Sequence, residues 1–204
     1  AMRAGVWECL AGPFDAQELL HRLHVYAAAK LETERIRQAS LVDGATGLYN
    51  ARGLLQQARA LVGFAFRYRR PLGCVAFGPA RNSHDLASEG SPEALRHVAS
   101  VLKVRLRQAD VAGRCGVADF LVLAPEAEPE GAAHLARRIL QELEAALRQL
   151  PTQTRIGYSA GYYGTSHFRA EDLSLEATRI LGRALVALRR VQAEGSPGRV
   201  ASYS

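Results

Sequence analysis

Three short apolar runs limit what this chain can fold into. "LGCVAF" (72–77), "DFLVLA" (119–124) and "TRIGYSAGYYG" (154–164) are β-rich and closed by Gly or Pro, which is the pattern of buried strands. Between and around them lie longer segments with apolar residues three and four apart. These are "ARGLLQQARALVGFAFRYR", "EALRHVASVLKVRLRQ", "GAAHLARRILQELEAALRQL" and "SLEATRILGRALVALRRVQAEG", and a last short strand, "GRVASYS", follows. Ser91 before Pro92 marks a helix start, because a serine cap and a first-turn proline satisfy or remove orphan N–H donors. Strands alternating with helices, with one hairpin, predict an α/β (α+β) sandwich: a mixed, mainly antiparallel central sheet with flanking helices.

The hairpin lies in "GRCGVADFLVLAP" (113–125). Its corner reads as Gly116-Val117, followed by a single acid, Asp119. Two-residue corners favour Gly-Gly, Asn-Gly or Asp-Gly, so an exposed valine there is unusual.

Upstream, "VWECLA" is a short apolar run, and Asp15 with Glu18 three residues on gives a capping-box pattern. From there no breaker occurs before Asp43-Gly44, which predicts a long linker helix or stalk to Leu41. Leu20, Leu23, Ala27 and Leu31 form its thin apolar stripe, and self-association through this helix, giving a dimer, is one expectation. The predicted division is a fragment at 1–24, a helical linker at 25–41 and the sandwich at 42–204.

Composition excludes little. The net charge of +6 comes mostly from arginine, but Arg96, Arg105, Arg107, Arg137, Arg138, Arg148, Arg189 and Arg190 lie along helices without interleaved aromatics. They read as solvated faces, so no DNA partner is expected. No run of eighteen apolar residues or secretion signal is present in the sequence, so no membrane span is expected and the expected location is cytoplasmic. Cys9, Cys74 and Cys115 are scattered in apolar surroundings and read as reduced, buried thiols without metal spacing.

Four motifs in order resemble the GGDEF family of diguanylate cyclase domains. "DGATGLYNARGL" (43–54) is similar to D-x-L-T-G-L-x-N-R, and "RQADVAGRCGVADF" (107–120) to R-x-x-D, five residues, then G-G-D/E-E-F. "YSAGY" (158–162) is similar to the late S-x-G strand, and "LVALRRVQAEGSPGRV" (185–200) to the closing A-L-Y-x-A-K-x-x-G-R-N. The element order, written β-α-α-β-β-α-β-α-β, resembles the family's elaborated ferredoxin-like or palm layout. Residues 1–24 resemble the C-terminal piece of a response-regulator receiver domain, with Gly12 where the receiver lysine belongs.

The resemblance implies a reaction that joins two GTP molecules on two Mg²⁺ ions held by carboxylates, where metal ions carry most of the phosphoryl charge. Here the family's first metal aspartate corresponds to Gly78, and no Asp or Glu occurs between Gly44 and His84. The hairpin motif corresponds to Gly116-Val117-Ala118-Asp119-Phe120: a branched valine replaces the second glycine, and Ala118 replaces the metal acid. Asp119 then reads as a solvated hairpin carboxylate. The guanine-binding G-D pair corresponds to Ser91-Pro92, Asn82 is nearby, and the late phosphate-facing lysine corresponds to Gln192. The expectation is no catalytic residue, no metal and no Mg²⁺: a degenerate GGDEF domain that is not an enzyme.

The family's product-binding motif is present as Arg107 and Asp110 at the implied spacing, with Arg137 and Arg138 where a further arginine would come. An arginine fork suits phosphate or a guanine edge and a carboxylate suits guanine's N–H donors, so cyclic di-GMP is the candidate ligand. The alternative is an arginine at a helix end with an aspartate capping the turn. The expected function is therefore a catalytically inactive signalling domain in a two-component or cyclic di-GMP pathway, with a signalling protein as partner. The alternatives are a cyclic di-GMP effector and an active cyclase with an atypical site.

Overall fold

A computed structural model describes residues 15–80, 91–148, 157–168, 172–195 and 197–203. The chain divides into two compact units, residues 1–40 and 41–204. "VWECLA", Cys9, Gly12 and most of the receiver-like stretch lie outside the described residues, as do Asn82 and the loop around it.

The described part of the first unit is one helix, α1 (Ala16–Ala39). The Asp15 carboxylate accepts from the Gln17 N–H at 3.0 Å, the local satisfaction of an orphan donor that the sequence predicts. Glu18 pairs with Arg22 one turn on, at 2.6 Å. Leu20, Leu23 and Leu31 are exposed. The helix stops at Ala39, two residues before the expected end.

The second unit runs α2 (Ala51–Tyr68), β1 (Leu72–Pro79), α3 (Pro92–Arg105), β2 (Val111–Arg114), β3 (Phe120–Pro125), α4 (Pro129–Leu147), β4 (Tyr158–Thr165), α5 (Leu173–Ala193) and β5 (Val200–Ser202). The helix expected from Ser91-Pro92 lies between β1 and the hairpin, although the written order β-α-α-β-β-α-β-α-β leaves it out. Ser91 caps that helix by accepting from Ala94 N–H at 3.2 Å. The helix ends at Arg105, so Arg107 belongs to the turn that follows. The sheet order is β2-β3-β1-β4-β5. β1 is antiparallel to both β3 and β4, β2 is antiparallel to β3, and only β4–β5 is parallel. This is the mixed, mainly antiparallel sheet that the sequence predicts.

Alternation along β1 builds two cores. Val75 and Phe77 point into one with α3 and α4, where Leu102, Phe120 and Ile139 are fully buried. Leu72, Cys74 and Ala76 point into the other with α2 and α5, among Leu54, Val62, Ile180 and Leu188. β1 is therefore buried on both faces over its whole length, which is why "LGCVAF" reads as a continuous apolar run rather than an alternating one.

One expected turn is different. The hairpin corner is not Gly116-Val117 alone: Arg114 pairs with Phe120, so residues 115–119 form a five-residue loop. Arg114 holds that loop open from inside. Its Nε and Nη2 donate to the Gly116 and Val117 carbonyls at 3.1 and 2.7 Å, and Nη1 reaches Asp43 Oδ2 at 3.2 Å.

Asp43 also accepts from the Thr46 N–H and hydroxyl, at 3.0 and 2.7 Å. Burial pulls its pKa upward, but the Thr46 hydroxyl, Arg114 and the Thr46 N–H outweigh it and hold the carboxyl below the usual aspartate value. A depressed folded-state pKa stabilises above the unfolded value and is lost as pH falls through the folded one. Asp43→Asn is expected to cost about 1–3 kcal/mol at neutral pH. In denaturant titrations, the gap from the parent should close below about pH 4. A gap independent of pH would show that the charge does not matter.

Candidate functional site

The end of β1, the hairpin loop and the last turns of α5 meet at one place. Gly78 faces inward there: a Cβ built on it would lie 2.5 Å from Asp119 Oδ1, 2.7 Å from Gln192 Nε2 and 3.1 Å from Leu188 Cδ2. The space that a larger residue at 78 would occupy holds the ends of two other side chains.

Asp119 is not the solvated hairpin carboxylate expected from sequence. It is 8% exposed, and its Oδ2 makes a short ion pair with Arg189 Nη2. Arg189 Nη1 lies 3.4 Å from the other carboxylate oxygen and donates to Gln192 Oε1 at 2.6 Å. Gln192, buried, in turn donates to the Pro79 carbonyl at 2.7 Å. The four residues form a continuous chain of contacts from hairpin through helix to strand end. Burying a carboxylate is tolerable only with such compensation. Arg189, read from sequence as part of a solvated helix face, is the residue that reasoning missed. Its partner is 70 positions away, beyond any local spacing rule.

The remaining hairpin positions divide by environment. Val117 is 71% exposed at the loop tip and Ala118 is buried. A Cβ on Gly116 would meet Asp119 Oδ2 at 2.8 Å, so the loop packs tightly over the acid. Cys115 donates its backbone N–H to the Asp119 carbonyl at 3.0 Å. Burial, with the Asp119 charge beside it, pushes the Cys115 thiol up to about 11. Cys74 is buried and shifted upward as well, chiefly by burial, and both thiols are free. Pro92 takes the first turn of α3. Among the described residues no group of three or more His, Cys, Asp or Glu side chains is placed to hold a metal ion. No described helix is long and apolar enough to cross a membrane.

A second concavity, about 350 Å³, lies between the turn after α3 and the start of α4. Arg107, Asp110, His134 and Arg138 are on its wall. The structure thus brings together three of the four residues picked out for a dinucleotide ligand. Arg137 is exposed and does not line it, because it is one residue around the helix from Arg138. Asp110 Oδ2 accepts from the Arg107 N–H at 2.9 Å, so it also caps its own turn, as the local alternative predicts. Arg138 donates to the Arg105 carbonyl at 3.2 Å.

A five-stranded, mainly antiparallel sheet with two helices on each face and this hairpin defines an α/β sandwich domain. A family model described as "Diguanylate cyclase, GGDEF domain" matches residues 88–197, more than half of the chain, and the chain belongs to that family. The response regulator PleD of Caulobacter vibrioides is 29% identical over 153 residues, covering 68% of this chain and 33% of PleD. The chain thus spans about a third of that relative. In fold it is similar to the coiled coil and GGDEF domain of DgcB from Caulobacter crescentus, solved with c-di-GMP. There the TM-score is 0.65 and identity 18%, covering 91% of this chain and 97% of that one. It is also similar to the diguanylate cyclase SiaD from Pseudomonas aeruginosa, solved with its activator SiaC. That match has a TM-score of 0.63 and 21% identity, covering 91% of this chain and 74% of that one.

Proposed function

We propose that this chain is a catalytically inactive GGDEF domain serving as a regulatory and protein-interaction module in cyclic di-GMP or two-component signalling. One observation carries the reading: Gly78 offers no carboxylate, and the space beside it is filled by Asp119 and Gln192. Asp119, the acid left in the loop, is spent on Arg189. A magnesium pair needs oxygen ligands turned toward open space, and these residues do not fit one. The branched Val117 crowds the position where the family motif has glycine, and Gln192 is buried against β1 instead of presenting a cation. Residues 1–24 are read as the end of a receiver domain, and the following helix as the link that carries its state or a self-association to the sandwich.

A second reading is favoured by the concavity around Arg107, Asp110 and Arg138: a cyclic di-GMP effector. A guanidinium on phosphate and a carboxylate on the guanine edge are the recognition chemistry. The three sit together, although Asp110 must share its carboxylate with the Arg107 N–H.

One paired experiment tests both readings. The chain is incubated with GTP and Mg²⁺ or Mn²⁺, then titrated with cyclic di-GMP in a calorimeter. No cyclic di-GMP is expected from GTP, and product that disappears on Asp119→Ala would overturn the inactive assignment. Heat that is lost on Arg107→Ala supports the effector reading, and none at high micromolar ligand removes it.

A further inference from the structure

The cavity at Arg107 is the last of three in a row. A concavity of about 440 Å³ shares Arg107 and Asp110 with it, and a third of about 580 Å³ shares Gly47 and Lys103 with the second. The two further ones lie between α3 and the turn at 42–49. Residues dispersed in sequence are thereby aligned. Arg96, Ser100 and Lys103 follow one another at spacings of four and three on a single face of α3, all exposed. Arg107 continues the row past the helix end. Arg96 and Lys103 are about 10 Å apart along the axis.

Among the described residues the charges on this row meet no acidic partner in an ion pair. Arg96, Lys103 and Arg107 carry their charge outward, and Lys103 donates to the Thr46 carbonyl at 2.8 Å. Arg105, off the row, pairs with Glu142 at 3.0 Å, and Arg114 pairs with Asp43. The middle cavity adds apolar wall from Val42, Tyr49, Leu106 and Val111, with Gln108 and Asp110 at its edge.

We propose that this groove binds a single-stranded oligonucleotide, its backbone along Arg96, Lys103 and Arg107 and a base in the middle cavity. The length of the groove calls for an extended ligand, and the unpaired cations for one charged along its length. A positively charged track beside apolar and aromatic surface is how single strands are held without a duplex groove. Inorganic polyphosphate would leave the apolar wall unused, and an acidic peptide would offer Asp110 a repelling charge where an unstacked base presents N–H donors. The proposal does not rest on the signalling assignment; Arg107 and Asp110 are shared with the candidate cyclic di-GMP site, whereas Arg96 and Lys103 lie outside it.

The test is fluorescence anisotropy of the full chain with a labelled mixed-sequence single-stranded RNA, and its DNA counterpart, at about 50 and 200 mM salt. Micromolar binding is expected, with a logarithmic salt slope near −2 for about three phosphate contacts. The double variant Arg96→Glu, Lys103→Gln should weaken it at least ~10-fold, and Arg59→Glu with Arg148→Glu, on other surfaces, less than ~2-fold. If Lys103→Gln lowers the melting temperature through the lost Thr46 bond, Arg96→Glu with Ser100→Glu replaces it. Absence of binding at the lower salt, equal losses in both double variants, or displacement by polyglutamate or linear polyphosphate at matched charge would each overturn the proposal.

Discussion

Gly161→Ala is expected to destabilise the second unit more than any other substitution considered. A Cβ at this position would lie 2.0 Å from the Leu188 N, 2.5 Å from the Ala184 carbonyl oxygen and 2.6 Å from the Ala187 carbonyl carbon. All three are backbone atoms of α5, so no side-chain rotation relieves the overlap. The helix must lift from β4, and Ala184, Ala187 and Leu188, all completely buried, lift with it. Overpacking of an ordinary core site costs about 1–3 kcal/mol. A rigid backbone-on-backbone contact should exceed about 4 kcal/mol, a large share of the roughly 5–15 kcal/mol by which a domain is stable. Gly182→Ala is the matched control: it lies on the same helix with nothing within 4 Å of its Cβ position, and should stabilise by up to ~1 kcal/mol. Urea unfolding of the soluble fraction reads both. Two variants with similar midpoints would mean that α5 is not seated on β4 as described.

Arg189→Ala is expected to have the next largest effect. It leaves the nearly buried Asp119 carboxylate without a cation and Gln192 Oε1 without its donor. Removing one partner of a fully buried pair costs about 3–5 kcal/mol. The Arg189 side chain is 57% exposed and solvent screens part of the attraction, so about 2 kcal/mol is the scale here. Asp119→Ala combined with Arg189→Ala should recover part of the loss, because the orphaned charge goes with its partner. Additive losses in that double-mutant cycle would show that the two side chains are not coupled.

These two sites differ in how far they are legible from sequence. Strand "LGCVAF", the Ser91-Pro92 helix start and the late "YSAGY" strand are set by residues next to one another, and periodicity and capping report them directly. The close approach at Gly161 needs the helix that follows, 23 to 27 positions on, and the sequence shows only a glycine in a strand. Asp119 fails for the same reason in stronger form. A single acid in a hairpin reads as solvated until the five-residue loop folds it under and Arg189 arrives from the last helix. The corner at Gly116-Val117 differs from a two-residue turn because Arg114 satisfies the loop carbonyls, which relaxes the need for one. The pairing of Arg107 with Asp110 is legible through the family motif and its spacing. Arg137 and Arg138 could not be told apart, since one residue of helix phase separates them.

Everything about catalysis turns on whether the filled corner beside Gly78 admits metal with nucleotide. Electron paramagnetic resonance of Mn²⁺ titrated into the chain with GTP reads this without depending on turnover. The expected spectrum is that of Mn²⁺ and GTP alone, unchanged by the protein. Two protein-bound ions per chain that need GTP, and that vanish in Asp119→Ala, would contradict the account.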